Sequence, residues 1–158
     1  MNVHRFLPRF RTLAFLTCGL GLVLAVYGYG VAGNGSVRLA FLGSGVIGLT
    51  LGVAYLLSPT WKLEVVTDDD GIAVRRGDLL RFRIDWEDIA GVISSPSTKT
   101  CFVDGGTPET SILIPGIDAP ASYALSDKDH LYDTIIGKVP ADRVTEVETL
   151  HLHLKSKS

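Results

Sequence analysis

The stretch Gly43-Ser44-Gly45-Val46-Ile47-Gly48-Leu49-Thr50-Leu51-Gly52-Val53-Ala54-Tyr55-Leu56-Leu57 decides how this chain is built. Its first six residues match the G-x-G-x-x-G pattern of dinucleotide-binding folds. An apolar run, Leu39 to Leu42, precedes it. A strand-like stretch, Lys62 to Thr67, ends at Asp68, twenty residues past Gly48, near where a ribose-binding acid is expected. Polarity around the helix rejects the match. The crossover helix of a soluble dinucleotide fold buries one face and shows water the other. From Val46 to Leu57 only Thr50 and Tyr55 carry a polar group, so there is no solvent face and no cofactor is implied.

The neighbouring sequence supplies another reading. Thr12 to Val37 is a run of 26 uncharged residues, and Leu39 to Trp61 is a run of 23. About 20 mostly apolar residues cross the hydrocarbon core of a bilayer as a helix. Ala32-Gly33-Asn34-Gly35-Ser36-Val37-Arg38 lies between them, and Asn34-Gly35 marks a turn. Residues 12–57 therefore read as a transmembrane helical hairpin with spans at 12–31 and 39–57. The basic run Arg5, Arg9, Arg11 before an apolar stretch is also compatible with a signal peptide ending near Gly30-Val31-Ala32. The length of the stretch and the second span after it favour a retained anchor.

The glycines fit a lipid environment, where helices associate by close backbone approach at small residues. Ser44, Gly48 and Gly52 recur every four residues with Gly45 beside them, and Gly19, Gly21, Gly28 and Gly30 offer a complementary surface on the first span. Such ridges pack the hairpin against itself, or also dock a neighbouring integral membrane protein. The basic residues set the orientation: residues 1–11 form a basic cytoplasmic N-terminus, the turn lies outside, and the chain after Leu57 is cytoplasmic again. Cys18 and Cys101 lie in different parts and make no disulfide framework.

From Ser58 onward there are 17 acidic residues and 11 basic ones, a net of −6, against +4 for the first 57 residues. This balance argues against nucleic acid as a partner and against general binding to an anionic leaflet. The periodicity is that of strands. Leu80-Arg81-Phe82-Arg83-Ile84-Asp85-Trp86 alternates without a break and predicts a half-buried strand. Leu63 to Val66 and Ile72 to Arg76 precede it across turns at Asp69-Asp70-Gly71 and Gly77-Asp78, which makes a meander. Ile89–Ser94, Thr100–Val103 and Ser111–Ile114 predict three further strands. Ser126 with Asp129 suggests a capping box for a helix carrying Leu131, Ile135 and Ile136 and ending at Gly137 and Pro140. In the tail from Arg143 to Leu154, Val144, Val147, Leu150 and Leu154 suit a helix, whereas Leu150, Leu152 and Leu154 suit a strand.

A hairpin of two spans followed by an antiparallel meander and one C-terminal helix resembles small bacterial membrane proteins that carry a pleckstrin-homology-like (PH-like) domain. Asp68-Asp69-Asp70-Gly71-Ile72-Ala73-Val74-Arg75-Arg76-Gly77 and the step Ile84-x-Trp86-x-x-Ile89 carry the likeness, over roughly residues 61–140. It implies a small α+β domain at 58–140, a bent sheet or barrel capped by one helix, with a tail at 141–158. It implies location in the bacterial inner membrane as a multi-pass protein, and hardly any function, because one scaffold hosts many.

Few residues ask to carry chemistry. Arg81 and Arg83 are expected on one strand face with Arg75 and Arg76 beside them, similar to the basic pair by which some PH domains hold phosphorylated lipid headgroups. The competing expectation is a solvated face paired with nearby acids. His151-x-His153 has no suitably spaced cysteine or acid, so no metal site is expected. Asp68-Asp69-Asp70-Gly71 lacks the ligands of an EF-hand loop, and Arg76-Gly77-Asp78 reads as a hairpin turn. No nucleophile elbow or P-loop is present. The chain therefore reads as a non-enzymatic membrane scaffold or accessory subunit whose partners are other integral membrane proteins and membrane lipid. The alternative is an anchored sensor of anionic headgroups or a peptide.

Overall fold

A computed structural model describes residues 1–30 and 35–150. The chain divides into two units, residues 10–59 and a second formed by Met1–Arg9 with the chain from Thr60 onward.

The first unit is two antiparallel helices, α1 (Arg11–Gly30) and α2 (Gly35–Leu56). Both are long and apolar enough to cross a membrane. All six residues of the G-x-G-x-x-G match lie inside α2, so the strand-to-helix turn that a dinucleotide site requires is absent here. Gly35, Ser36, Val37 and Arg38, expected in the connector, form the first turn of α2. Ala32, Gly33 and Asn34 lie outside the described residues, as do His151, Leu152, His153 and Leu154 of the tail. The hydroxyls of two threonines in the helices are satisfied locally: Thr17 donates to the Leu13 carbonyl and Thr50 to the Val46 carbonyl, each at 2.8 Å.

The second unit holds two sheets and one helix. Its strands are β1 (Asn2–Pro8), β2 (Leu63–Thr67), β3 (Gly71–Arg76), β4 (Leu79–Asp85), β5 (Gly91–Ser95), β6 (Thr100–Asp104), β7 (Ile112–Ile114), β8 (Tyr123–Leu125) and β9 (Val144–Glu146). One sheet runs β4-β3-β2-β1-β8 and is antiparallel. The other runs β7-β6-β5-β9, with β9 parallel to β5. The helix α3 spans Lys128–Lys138. Phe6, Val65, Ile72 and Ile84 from the first sheet, with Trp86 just past β4, meet Val92, Val103, Ile112 and Ile114 from the second, and Leu131 and Ile135 of α3 close the core. The meander β2-β3-β4, the three following strands and the helix match the expected order.

The N-terminus does not. Residues 1–11 were expected as a basic flank, separate from a soluble domain beginning at 58. Instead Asn2–Pro8 is an interior strand: Asn2 to Arg5 pair with Thr67 to Glu64, and Phe6 to Pro8 pair with Leu125 to Tyr123. The reason is a short alternation that the arginines obscure. His4 and Phe6 are buried while Val3, Arg5 and Leu7 are exposed, a strand pattern that Pro8 ends.

Two local expectations also change. Ser126 does not cap α3, because its hydroxyl accepts from the Arg5 N–H at 2.7 Å while its own N–H donates to the Arg5 carbonyl at 2.9 Å. Asp127, at φ 48°, then turns the chain into the helix without a side-chain cap. On β4 the register slips at Arg81, so Val74 opposes Phe82 while Arg75 opposes Leu80. This bulge breaks the alternation seen in the sequence and leaves Leu80 57% exposed.

Candidate functional site

In the helical unit the small residues form a seam. A Cβ added at Gly45 would stand 2.6 Å from the Ala25 nitrogen and the Gly21 carbonyl oxygen. One at Gly21 would stand 2.8 Å from the Gly45 oxygen, and one at Gly28 would stand 2.9 Å from the Leu42 nitrogen. Gly52 lies against Cys18 and Ala14, and Gly48 meets Thr17 at a looser 3.4 Å. On α1 the seam residues Ala14, Cys18, Gly21, Ala25 and Gly28 are spaced alternately four and three apart, the spacing that keeps one stripe facing a partner helix. Tyr27 and Phe41 add an edge-to-face ring contact at 5.0 Å.

Three of the eight expected packing positions are not in this seam. Nothing lies within 4 Å of a Cβ at Gly19 or Gly30, and Ser44 is exposed. The four-residue ridge therefore begins at Gly48, and Gly45, one position from Ser44, takes its place at the contact. Gly43 is likewise open. The seam uses up the glycines that approach most closely, and the outer faces keep Gly19, Gly30, Gly43 and Ser44.

In the sheet unit the four arginines expected on one face are separated. Arg83 holds the Asp68 carboxylate through two nitrogens at 2.9 and 3.0 Å, contacts Asp85 at 3.2 Å and comes within 3.7 Å of Asp70. The guanidinium, with the Gly71 N–H, holds the Asp68 carboxyl below its usual range, and Asp68 and Asp85 raise Arg83 in turn. Arg75 shares Glu64 with Arg5, each at 3.2 Å. Because of the bulge, Arg81 lines a different surface from Arg83, a 460 Å³ cavity between the sheets with Phe6, Leu63, Val74, Phe82, Ile112 and Tyr123. Arg76 lines a 470 Å³ recess with Arg5, Trp61, Lys62, Glu64 and Gly77. The basic strand face thus resolves into a paired part, Arg75 and Arg83, and two arginines in separate recesses.

A third recess, 740 Å³, lies among Asp69, Asp70, Asp85, Glu87 and Asp88. Its acids are partnered in part by Arg83 and Lys138, and no three His, Cys, Asp or Glu side chains converge as metal ligands among the described residues.

Two features were missed in the sequence. His4 is buried and its Nδ1 stands 3.0 Å from the Ser126 carbonyl, so Nδ1 is the donor, and its Nε2 is buried with no hydrogen-bond partner among the described residues. Asp118 anchors a polar network. Thr100, fully buried, donates to it at 2.8 Å, and the Leu150 N–H donates at 3.2 Å. Burial alone would raise its pKa, but these bonds with those from Thr98 and Ser95 outweigh it and hold the carboxyl below its usual range. A depressed carboxyl stabilises the fold above its unfolded pKa, and that stabilisation is lost as pH falls through the folded value. Asp118→Ala should cost about 2 kcal/mol at neutral pH, the scale for leaving charge-assisted donors unmade. Thermal unfolding should also show a smaller loss of stability below about pH 4 in Asp118→Asn than in the parent. Equal acid sensitivity in both would place the titrating group elsewhere.

Cys101 is fully buried, and burial pushes its thiol up to about 12, so it is inert at neutral pH. No family model, curated protein or solved structure matches the chain. Its function therefore has to be argued from these contacts.

Proposed function

We propose that this chain is a non-enzymatic integral membrane scaffold or accessory subunit. It is anchored in a bacterial inner membrane by α1 and α2 and presents a PH-like domain on the cytoplasmic side. The observation that carries the reading is the way the two units share the chain. The sheet takes one strand, β1, from before the helices and the rest from after them. Both ends of the helical pair must then lie on one side of a membrane, which two crossings achieve. Basic residues agree, with Arg5 and Arg9 before α1, Arg11 at its first position and only Arg38 near the turn.

The helices also carry apolar side chains in excess of what their mutual seam needs. Leu13, Leu16, Leu20 and Val23 of α1 and Leu39, Ile47 and Leu51 of α2 are 59–72% exposed. In water such a surface is a liability; in lipid it is ordinary. The PH-like reading is supported by the strand order, in which β1 to β4 are consecutive neighbours, β5 to β7 form a second meander, and α3 follows.

A partner helix would meet the outer faces, where Gly43 and Ser44 offer the closest approach, rather than the seam. The test is purification of the full-length protein from native membranes in mild detergent. A stoichiometric partner should co-purify and be lost on Gly43→Leu, with the hairpin's own stability unchanged. A protein that emerges alone contradicts the accessory-subunit reading.

A further inference from the structure

At the 460 Å³ cavity between the two sheets the core is not sealed. Among its walls Phe6, Val74 and Ile112 are buried, whereas Leu63, Phe82, Leu113 and Tyr123 are only half-buried, so solvent reaches apolar side chains there. Three of these walls are aromatic. The Phe6 and Tyr123 rings lie 4.7 Å apart and are tilted by 43°. The Tyr123 hydroxyl donates to the Leu113 carbonyl at 2.9 Å, so Tyr123 adds a ring to the wall rather than a free polar group.

Two charged side chains share this cavity, one of each sign. Arg81 reaches it because of the bulge: it has no opposite residue on β3, standing between Leu80, which faces Arg75, and Phe82, which faces Val74. Bulges re-aim side chains in this way and are over-represented beside active sites. Glu109 comes from the single helical turn Pro108–Thr110, which packs against β4. Both are exposed, and neither makes an ion pair or a side-chain hydrogen bond among the described residues. Arg75 and Arg83, by contrast, are tied to Glu64 and Asp68.

Apolar walls with a few convergent polar groups are the usual form of a small-molecule site. The groups present here specify the ligand. A purely apolar molecule leaves both charges unmatched, and a simple anion such as a fatty acid meets Glu109 as well as Arg81. A molecule with a carboxylate, an ammonium and an apolar body matches all three features. At water's share of liquid volume, about 30 Å³, the cavity holds about 15 non-hydrogen atoms, the size of an aromatic amino acid. An aromatic side chain also favours tilted contacts with rings such as Phe6, Phe82 and Tyr123.

We infer that this cavity binds a free aromatic amino acid as its zwitterion, with the ring between the sheets, the carboxylate at Arg81 and the ammonium at Glu109. Every residue of the site belongs to the sheet unit, so the inference goes beyond the scaffold reading and does not depend on the anchor.

The test is calorimetric titration of the full-length protein in nanodiscs, with empty discs as the blank. L-Tryptophan should bind about fivefold more tightly than indolepropionate, which lacks the ammonium, or tryptamine, which lacks the carboxylate, the scale of one solvent-exposed ion pair. Alanine, which lacks the ring, should give no saturable heat. Arg81→Gln should abolish only the preference over tryptamine, and Glu109→Gln only the preference over indolepropionate. The ligand series on the unaltered protein decides the matter even if a variant misfolds. Equal affinity for tryptophan and both single-charge relatives, tighter binding of decanoate, or no saturable heat with tryptophan overturns the inference. A chain that stays out of nanodiscs contradicts the anchor alone, and the same titration is then made in solution.

Discussion

Gly45→Leu will separate α1 from α2, whereas Gly19→Leu and Gly30→Leu will leave them together. At Gly45 the first side-chain carbon would already lie 2.6 Å from two backbone atoms of α1, the Ala25 nitrogen and the Gly21 oxygen. Backbone cannot rotate away as a flexible side chain can, so the helices must part by the whole width of the new side chain. The parting opens the seam as far as Gly28 at one end and Gly52 at the other, where the backbones also approach closely. If the hairpin lies in lipid, as proposed, there is no hydrophobic drive to close it again, because lipid tails are as apolar as leucine. A cost of about 3 kcal/mol, the upper range for overpacking, is expected for Gly45→Leu. The open positions Gly19 and Gly30 should each change stability by less than about 0.5 kcal/mol, as surface substitutions do. Unfolding midpoints in mixed detergent–SDS micelles separate the two classes. If all three variants behave alike, the seam is not what holds the hairpin.

The second large effect concerns β1. Residues 60–158 produced alone should fail to fold cooperatively. Without Asn2–Pro8 the first sheet loses the neighbour of both β2 and β8, and the core loses Phe6, whose ring lies 4.7 Å from that of Tyr123. Truncating one buried phenylalanine alone costs about 3–5 kcal/mol, against a total stability of about 5–15 kcal/mol for a domain. The unpaired edge of β2 would also invite aggregation. Replacing residues 10–59 by a flexible Gly-Ser linker, so that β1 stays attached, should restore a folded soluble domain. Sigmoidal thermal unfolding of 60–158 by itself would contradict the assignment of β1 to the sheet.

These two cases show what was legible in the residues and what was not. Val46 to Leu57 announces a long apolar helix because it carries no polar face. The meander is legible because Asp69-Asp70-Gly71 and Gly77-Asp78 punctuate an alternating pattern. Strand β1 was hidden because its seven residues hold only one and a half periods of burial, with Arg5 in the middle and Arg9 and Arg11 after it. Three nearby arginines before an apolar run look like a topology signal, and one of them is also a strand residue that pairs with Glu64. The arginine cluster misled for a related reason. Alternation along β4 places Arg81 and Arg83 on one face only if the register is unbroken, and the bulge at Arg81 is a property of the pairing with β3 that no local pattern reveals. Asp118 was invisible because its partners, Thr100 and Leu150, lie 18 and 32 residues away.

The claim that joins these observations is that one sheet is threaded by a membrane hairpin, so that the start of the chain and the domain after Thr60 share a side. The most direct measurement is labelling of single cysteines in sealed inverted vesicles with a membrane-impermeant maleimide, in a background lacking Cys18 and Cys101. A cysteine added before Met1 and one at the exposed turn residue Asp78 should both react from outside these vesicles, and one at Ser36 should react only after the membrane is opened. Reaction of Ser36 on the same side as Asp78, or of the N-terminus and Asp78 on opposite sides, would contradict the account.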